Sequence, residues 1–196
     1  MTSTANADKA HVLADVCTAL TSGDNGRAAD ILATDYPFVS TAKAARRYTE
    51  RQSLRVFYRD GFIDRYSGDR LVHPGALRLL SAVLPDQFPA DPHWAMDRTH
   101  IGFWELFPSI DHLVPVARGG TDDDANWVTT SMLRNSAKAH WTLEELGWST
   151  VPAGDSTKWD GLSAWFVDYM TIHPRLRDAH PYLRRWLSAT DAVRGE

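Results

Sequence analysis

Four polar residues that could act together in catalysis lie in one stretch of this chain, residues 110–140. An acid and an imidazole are adjacent there, Asp111 and His112, and two carboxamides follow, Asn126 and Asn135. Phosphodiester hydrolysis needs a base that takes a proton from water, and positive charge that offsets the charge growing on the phosphate. A neutral histidine accepts a proton near neutral pH, so His112 is the candidate base. Carboxylate and amide oxygens suit a hard divalent ion, so Asp111 and Asn135 are candidate ligands of Mg²⁺, with Mn²⁺ or another divalent ion as alternatives.

Two further residues of the stretch are predicted to support this chemistry. Asn126 can bridge the backbone across its loop and so orient the strand that carries His112. Arg118 lies in the same loop, where a cation could clamp a phosphate beside the metal. We therefore group both with His112 as catalytic candidates.

The local sequence predicts a strand, a loop, a second strand and a helix. Apolar residues alternate around a proline at 113–116, which predicts a short edge strand directly after the Asp-His pair. The glycines and polar residues at 119–124 predict a turn, and 126–130 predict the second strand. Ser131 predicts a helix cap, and good helix formers continue to about residue 140.

These residues resemble the HNH endonuclease family in its HNN form. The shared pattern is DH-x-x-P-x-x-x-GG, with asparagines fourteen and then nine residues further on, and RNSAK is similar to the family's CNRAK stretch. The resemblance implies an α+β fold, a mainly helical chain around a small ββα-metal (His-Me finger) motif. It also implies metal-dependent cleavage of nucleic acid, with His112 as general base, Asp111 and Asn135 as metal ligands, and Asn126 as a structural residue.

The chain departs from this family where many members bind a structural zinc through two C-x-x-C pairs. Residues 59–71, RDGFIDRYSGDRL, are similar to the family's zinc knuckle, but Asp64 and Ser67 replace its cysteines. Ser131 and Arg134 occupy the positions of the second pair. Without thiolates the affinity for zinc is too low, so we predict no structural zinc. Hydrogen bonds among these four residues are expected instead, including a salt bridge from Asp64 to Arg134.

A net charge of −4 at pH 7 argues against binding nucleic acid through bulk electrostatics, so any such surface must be local. Basic residues recur every three or four positions in 43–59, which predicts a basic helix face opposite Tyr48, Leu54 and Phe57. A solvated amphipathic helix explains the same pattern equally well. The candidate nucleic-acid-binding residues are Arg47, Arg51, Arg55 and Arg134.

Three residues are site candidates of lower rank. His140 lies five residues after Asn135, so on a helix it would point about 140° away from it. His100, like His93, belongs to an aromatic-rich insertion, where a histidine is more often a structural donor than a ligand. Lys138 ends the RNSAK stretch.

We predict one main domain with elaborations. Residues 1–40 are interpreted as an N-terminal helical hairpin packed on the body. The resemblance implies an HNH nuclease domain in residues 41–150, with the knuckle-like turn, the insertion and the ββα motif. Residues 151–196 add C-terminal helices, near 161–171 and 175–189, packed on the same domain, and their aromatic side chains are expected to form core rather than stack on bases.

The chain has a single cysteine, which excludes an internal disulfide and fits a reducing compartment. It has neither an export signal nor a run of about eighteen apolar residues, so a cytoplasmic protein is expected. The expected partner is nucleic acid, DNA favoured over RNA, and no membrane. A homodimer and a larger nuclease complex are both open. The alternative function is a catalytically degenerate ββα module that binds nucleic acid.

Overall fold

The computed structural model describes residues 8–38 and 47–195. The described part is α+β, with about half of its residues in helices and one two-stranded antiparallel sheet, which confirms the coarse α+β class. None of its helices combines the length and the apolar character needed to cross a membrane. The elements in chain order are α1 (Lys9–Thr21), α2 (Asn25–Asp35), α3 (Glu50–Arg59), α4 (Pro74–Val83), α5 (Gly102–Glu105), β1 (Pro108–His112), β2 (Trp127–Ser131), α6 (Met132–Lys138), α7 (Leu143–Leu146), α8 (Ser163–Ile172), α9 (Pro174–Ala179) and α10 (Pro181–Arg194).

The chain divides into two compact units, residues 1–44 and 45–196. In the first unit, α1 and α2 pack against each other, and their N-termini are capped by the side chains of Asp8 and Asp24. Val16 and Ala19 of α1 are buried with Ala28 of α2. The structure has α1 and α2 in the region of the predicted hairpin, and the packing of the hairpin on the body stays a prediction.

The core of the second unit is formed by α3, α4, α8 and α10. Leu54, Leu77 and Phe166 are almost completely buried in it, and Trp186 is 7% exposed. Most of the C-terminal aromatic residues belong to this core or pack against it, as the sequence predicted. Trp165, 38% exposed, is the exception.

His73 is a polar residue inside this core and caps the N-terminus of α4. The backbone N–H of Gly75 donates to its Nδ1 at 3.0 Å. Because Nδ1 accepts, the ring proton lies on Nε2, 3.0 Å from the Thr190 hydroxyl, which donates onward to the Trp186 carbonyl. This chain of bonds requires a neutral ring, and burial lowers the pKa of His73 to about 3.

We expect the buried imidazole to make the second unit less stable in mild acid. The unfolded histidine titrates near 6.5, whereas folded His73 stays neutral down to about pH 3. Between these two pH values the unfolded state therefore binds more protons than the folded state. The free energy of unfolding is highest above pH 6.5 and decreases as the pH is lowered. Between pH 7 and pH 5 the loss is about 2 kcal/mol. Urea unfolding at both pH values measures it, and His73→Gln should lose less; equal losses in the two proteins would contradict the assignment.

Three predicted elements differ from the structure. The first strand precedes and includes the Asp-His pair, and Val116–Arg118 form a 3-10 turn instead of a strand. The basic segment is not one helix, because α3 begins at Glu50 behind its cap Thr49; residues 43–46 lie outside the described residues. The predicted helix 175–189 is two helices, because Pro181 has no N–H to continue the first.

The outer edge of β2 is closed by side chains of the knuckle-like turn. The carboxylate of Asp60 accepts the N–H of Thr129 at 2.7 Å, and that of Asp64 accepts the N–H of Ser131 at 2.9 Å. The Arg65 N–H donates to the Thr129 carbonyl between them. Buried backbone polar groups must be paired, so these two buried aspartates complete the ladder that a third strand would otherwise supply.

Candidate functional site

The two strands place Asp111 and His112 at the end of β1, opposite Val128 and Trp127 of β2. Successive side chains of a strand point to opposite faces. The contacts agree with this geometry, because Asp111 meets Tyr66 and α6 whereas His112 meets a different set of residues. The site therefore has two halves joined through one peptide bond.

In the first half, the nearly buried ring of His112 is held by a carboxylate from the loop between the strands. Its Nε2 lies 2.8 Å from Oδ1 of Asp122. The hydroxyl of Tyr48 and the Nε1–H of Trp127 donate to the same oxygen at 2.8 and 2.9 Å. The hydrogen bond from His112, aided by these two donors, lowers the pKa of Asp122 to about 2. The carboxylate is therefore ionised at neutral pH.

The contacts of Nε2 assign the position of the ring proton. Trp127 Nε1 lies 3.2 Å from Nε2 of His112 and 2.9 Å from Oδ1 of Asp122, and we assign its single N–H to the nearer carboxylate. Because a carboxylate oxygen and an unprotonated nitrogen would repel at 2.8 Å, we assign the ring proton to Nε2, which donates it to Asp122. In the neutral ring Nδ1 then keeps the lone pair, and none of the residues 8–38 and 47–195 hydrogen-bonds to it. Sequence reasoning missed Asp122, because three consecutive aspartates in that loop look alike.

In the second half, the carboxylate of Asp111 is met by two donors. The Tyr66 hydroxyl lies 2.6 Å from Oδ2, and the Lys138 ammonium lies 3.0 Å from the same oxygen. Burial, followed by the charge of Asp111, raises the pKa of Tyr66. Lys138, a candidate of lower rank in the sequence, is fully buried, which is rare for a lysine unless it is paired.

The outer edge of β1 is closed by α6, as the edge of β2 is closed by the turn. Nδ2 of Asn135 donates to the Ile110 carbonyl at 3.1 Å and to the Ser109 hydroxyl at 3.0 Å. One turn later, Nζ of Lys138 donates to the His112 carbonyl at 2.7 Å. Asn135 therefore lies on the Asp111 side of the strand, with its amide nitrogen holding β1 and its amide oxygen as the remaining polar atom.

Asn126 bridges the loop backbone as the sequence predicted. Its Oδ1 accepts the Val114 N–H at 2.9 Å, and its Nδ2 donates to the carbonyls of Val114 and Thr121 at 2.8 and 2.7 Å. The loop passes so close to this amide that a Cβ at Gly120 would overlap the Val114 carbonyl oxygen. The second glycine of the pair is thus required by close approach of the backbone.

Replacing Asn126 by alanine should lower the free energy of unfolding by about 2 kcal/mol, because one N–H and two carbonyls lose their partner in a nearly buried position. Asp124→Ala, an exposed side chain in the same loop, is the matched control and should change stability by less than about 0.5 kcal/mol. Chemical denaturation of both variants measures the difference. A similar midpoint for both would show that the bridge does not order the loop.

The carboxylate of Asp64 holds the knuckle-like turn, residues 59–71, against β2. Asp64 is 1% exposed and accepts from the Thr130 hydroxyl at 3.0 Å as well as from the Ser131 backbone. The predicted salt bridge is confirmed, with Arg134 Nε 3.5 Å from Asp64. Ser67 does not join this group through its hydroxyl, which accepts instead from the N–H of Asp69 in its own turn.

The remaining candidates have contacts of their own. Arg118 pairs with Glu145 at 3.2 Å, and Arg134 pairs with Asp69 as well as Asp64. His140 is exposed and stacks on Trp141. The other candidate side chains are exposed at or before α3: Arg47, Arg51 and Arg55.

His100 has a structural role, because its Nδ1 accepts the Gly102 N–H and its ring packs on Phe88 within the insertion. This agrees with the interpretation that lone histidines among aromatic residues are structural. His93 is exposed in the same insertion. Neither histidine side chain hydrogen-bonds to Asp111 or His112. Comparison of the chain with protein-family models, with curated proteins and with solved structures gave no match.

Proposed function

We propose that the protein is a metal-dependent HNH-type endonuclease that hydrolyses phosphodiester bonds in nucleic acid, DNA in preference to RNA. The observation that carries this proposal is the His112–Asp122 contact at the end of β1. It lies beside Asp111 in a strand–loop–strand–helix unit, the order expected of a ββα-metal motif. A histidine whose proton is assigned to one nitrogen by a carboxylate is well suited to act as a base.

In this proposal His112 takes the proton of the attacking water. Asp122 holds the Nε2–H and stabilises the imidazolium that forms when Nδ1 accepts the proton. Tyr48 and Trp127 hold the Asp122 carboxylate in place through the bonds described above. Asn126 orders the loop that carries Asp122, so its role in the reaction is one of positioning.

By the chemistry of their side chains, Asp111 and Asn135 fit a divalent cation. A carboxylate and an amide oxygen are ligand types that suit Mg²⁺. The carboxylate already attracts one cation, the Lys138 ammonium at 3.0 Å. When bound, the ion would offset charge on the phosphate and the departing oxygen.

Phosphate binding is assigned to exposed arginines. Arg118 follows β1 in the loop that also carries Asp122, and Arg51 and Arg55 are exposed on α3. Arg134, at the start of α6, is held by two aspartates and is a weaker candidate. Such contacts would make binding fall steeply as salt is raised.

Incubation of the wild-type protein with supercoiled plasmid, linear duplex, single-stranded DNA and RNA tests the proposal. We expect cleavage in Mg²⁺ or Mn²⁺, none in EDTA, and faster cleavage of DNA than of RNA. Absence of cleavage from every substrate and ion would overturn it.

A second candidate function is a ββα module that binds nucleic acid without cutting it. The observation that favours it is that Asp111 and His112 both already have charged partners. Lys138 forms an ion pair with Asp111, and Asp122 accepts a hydrogen bond from His112. Retained affinity for DNA in EDTA, together with no cleavage under any condition, would select this module over the enzyme.

A further inference from the structure

We propose that Lys138 is a built-in cation that competes with divalent metal for Asp111, so that metal binds only when the ammonium leaves the carboxylate. This inference deepens the proposed function and rests on its metal site.

The geometry places the ammonium where it contacts the principal metal ligand. Nζ of Lys138 lies 3.0 Å from Asp111 Oδ2 and 2.7 Å from the His112 carbonyl oxygen. Its side chain has no solvent exposure. The ammonium therefore has a defined position between the acid and the backbone of the candidate base.

Both members of the Lys138–Asp111 ion pair are buried. An ammonium removed from water is costly unless a charge partner and hydrogen-bond acceptors replace the water. Within residues 8–38 and 47–195, Asp111 is the carboxylate that forms an ion pair with Lys138. The same carboxylate is 5% exposed, so its charge is also removed from water and is balanced by Lys138.

A divalent ion at the same carboxylate would lie close to the ammonium and be repelled by it. In a partly desolvated site this repulsion is poorly screened by salt. The Tyr66 hydroxyl also donates to Oδ2 at 2.6 Å, so this oxygen already has two donors. Metal binding must therefore displace the ammonium, and the affinity for metal should rise when its charge is removed.

The test is Mn²⁺ binding in the absence of nucleic acid, measured by calorimetry and by the electron paramagnetic resonance of free Mn²⁺. Lys138→Met keeps an unbranched side chain, shorter by the Nζ atom, and removes its charge, and we expect it to bind Mn²⁺ at least tenfold more tightly than wild type. Lys138→Arg keeps the charge and should show no gain. Adding Asp111→Asn to Lys138→Met should abolish the gain. Equal or weaker binding by Lys138→Met would overturn the proposal.

Folding of each variant is checked by circular dichroism and thermal unfolding. If Lys138→Met does not fold, Lys138→Gln retains an N–H donor for the His112 carbonyl and gives the same comparison. In wild type, ¹⁵N NMR of the buried ammonium supplies a measurement that needs no variant. Added Mg²⁺ should accelerate exchange of its protons, and an unchanged signal at millimolar Mg²⁺ would contradict displacement.

These readouts separate this inference from the nuclease assignment. A protein that never cuts nucleic acid could still bind Mn²⁺ more tightly without the ammonium, which would support the competition and reject the enzyme. A protein that cuts in Mg²⁺, but whose Mn²⁺ affinity does not depend on Lys138, would keep the enzyme and reject the competition.

Discussion

Replacing His112 by glutamine will lower the rate of phosphodiester cleavage by about a thousandfold, because general-base catalysis contributes roughly 10²–10⁴-fold. A glutamine amide can still donate to Asp122, as Nε2 does in wild type, but it cannot take a proton from water. The ring is 5% exposed, so alanine would leave a cavity, and glutamine is the better variant for separating chemistry from folding. Single-turnover cleavage of plasmid DNA in Mg²⁺ measures the effect.

The matched control is His11→Gln in the first unit, since His11 is exposed on α1 and far in sequence from the site. It should cut DNA within twofold of wild type, on the reasoning that exposed substitutions away from a site are nearly neutral. Thermal unfolding of both variants checks that the fold is kept. Undiminished cleavage by His112→Gln would remove His112 from the reaction and with it the proposed mechanism.

Replacing Asp64 by alanine will lower the free energy of unfolding of the second unit by about 3 kcal/mol. The change removes the acceptor of the Ser131 and Tyr66 backbone N–H groups and of the Thr130 hydroxyl, and each buried donor left unpaired costs about 1–3 kcal/mol. It also removes the partner of Arg134. For a unit of this size the melting temperature should fall by about 10 °C.

Asp69→Ala is the control for this variant. Asp69 also pairs with Arg134, but its side chain is 68% exposed, and exposed ion pairs contribute little to stability. We expect a change below about 1 kcal/mol in urea unfolding. If the two variants unfold at the same midpoint, the carboxylate does not hold the turn to β2, and the account of how this chain manages without thiolates is wrong.

Several parts of the site could be predicted because they depend on residues close in sequence or on simple complementarity. Thr142 and Glu145 form the capping box of α7, and Pro74 begins α4, and both are helix starts that a local sequence pattern can specify. The bridge made by Asn126 spans a loop of its own segment. The pairing of Asp64 with Arg134 joins distant positions, and it was predicted because opposite charges replaced two groups that a shared zinc would have joined.

The acid, the imidazole and the two carboxamides of the site can be identified from the sequence, because residue type and spacing are properties of the chain. Which aspartate of the loop reaches His112 follows from the folded structure, since it depends on how the loop lies against Trp127. The burial of Lys138 against Asp111 also follows from the folded structure. Helix propensity predicts that α6 forms, but not which face of the helix packs on the sheet. The partners of a charged group are set by burial and packing, and these belong to the whole fold rather than to any local segment.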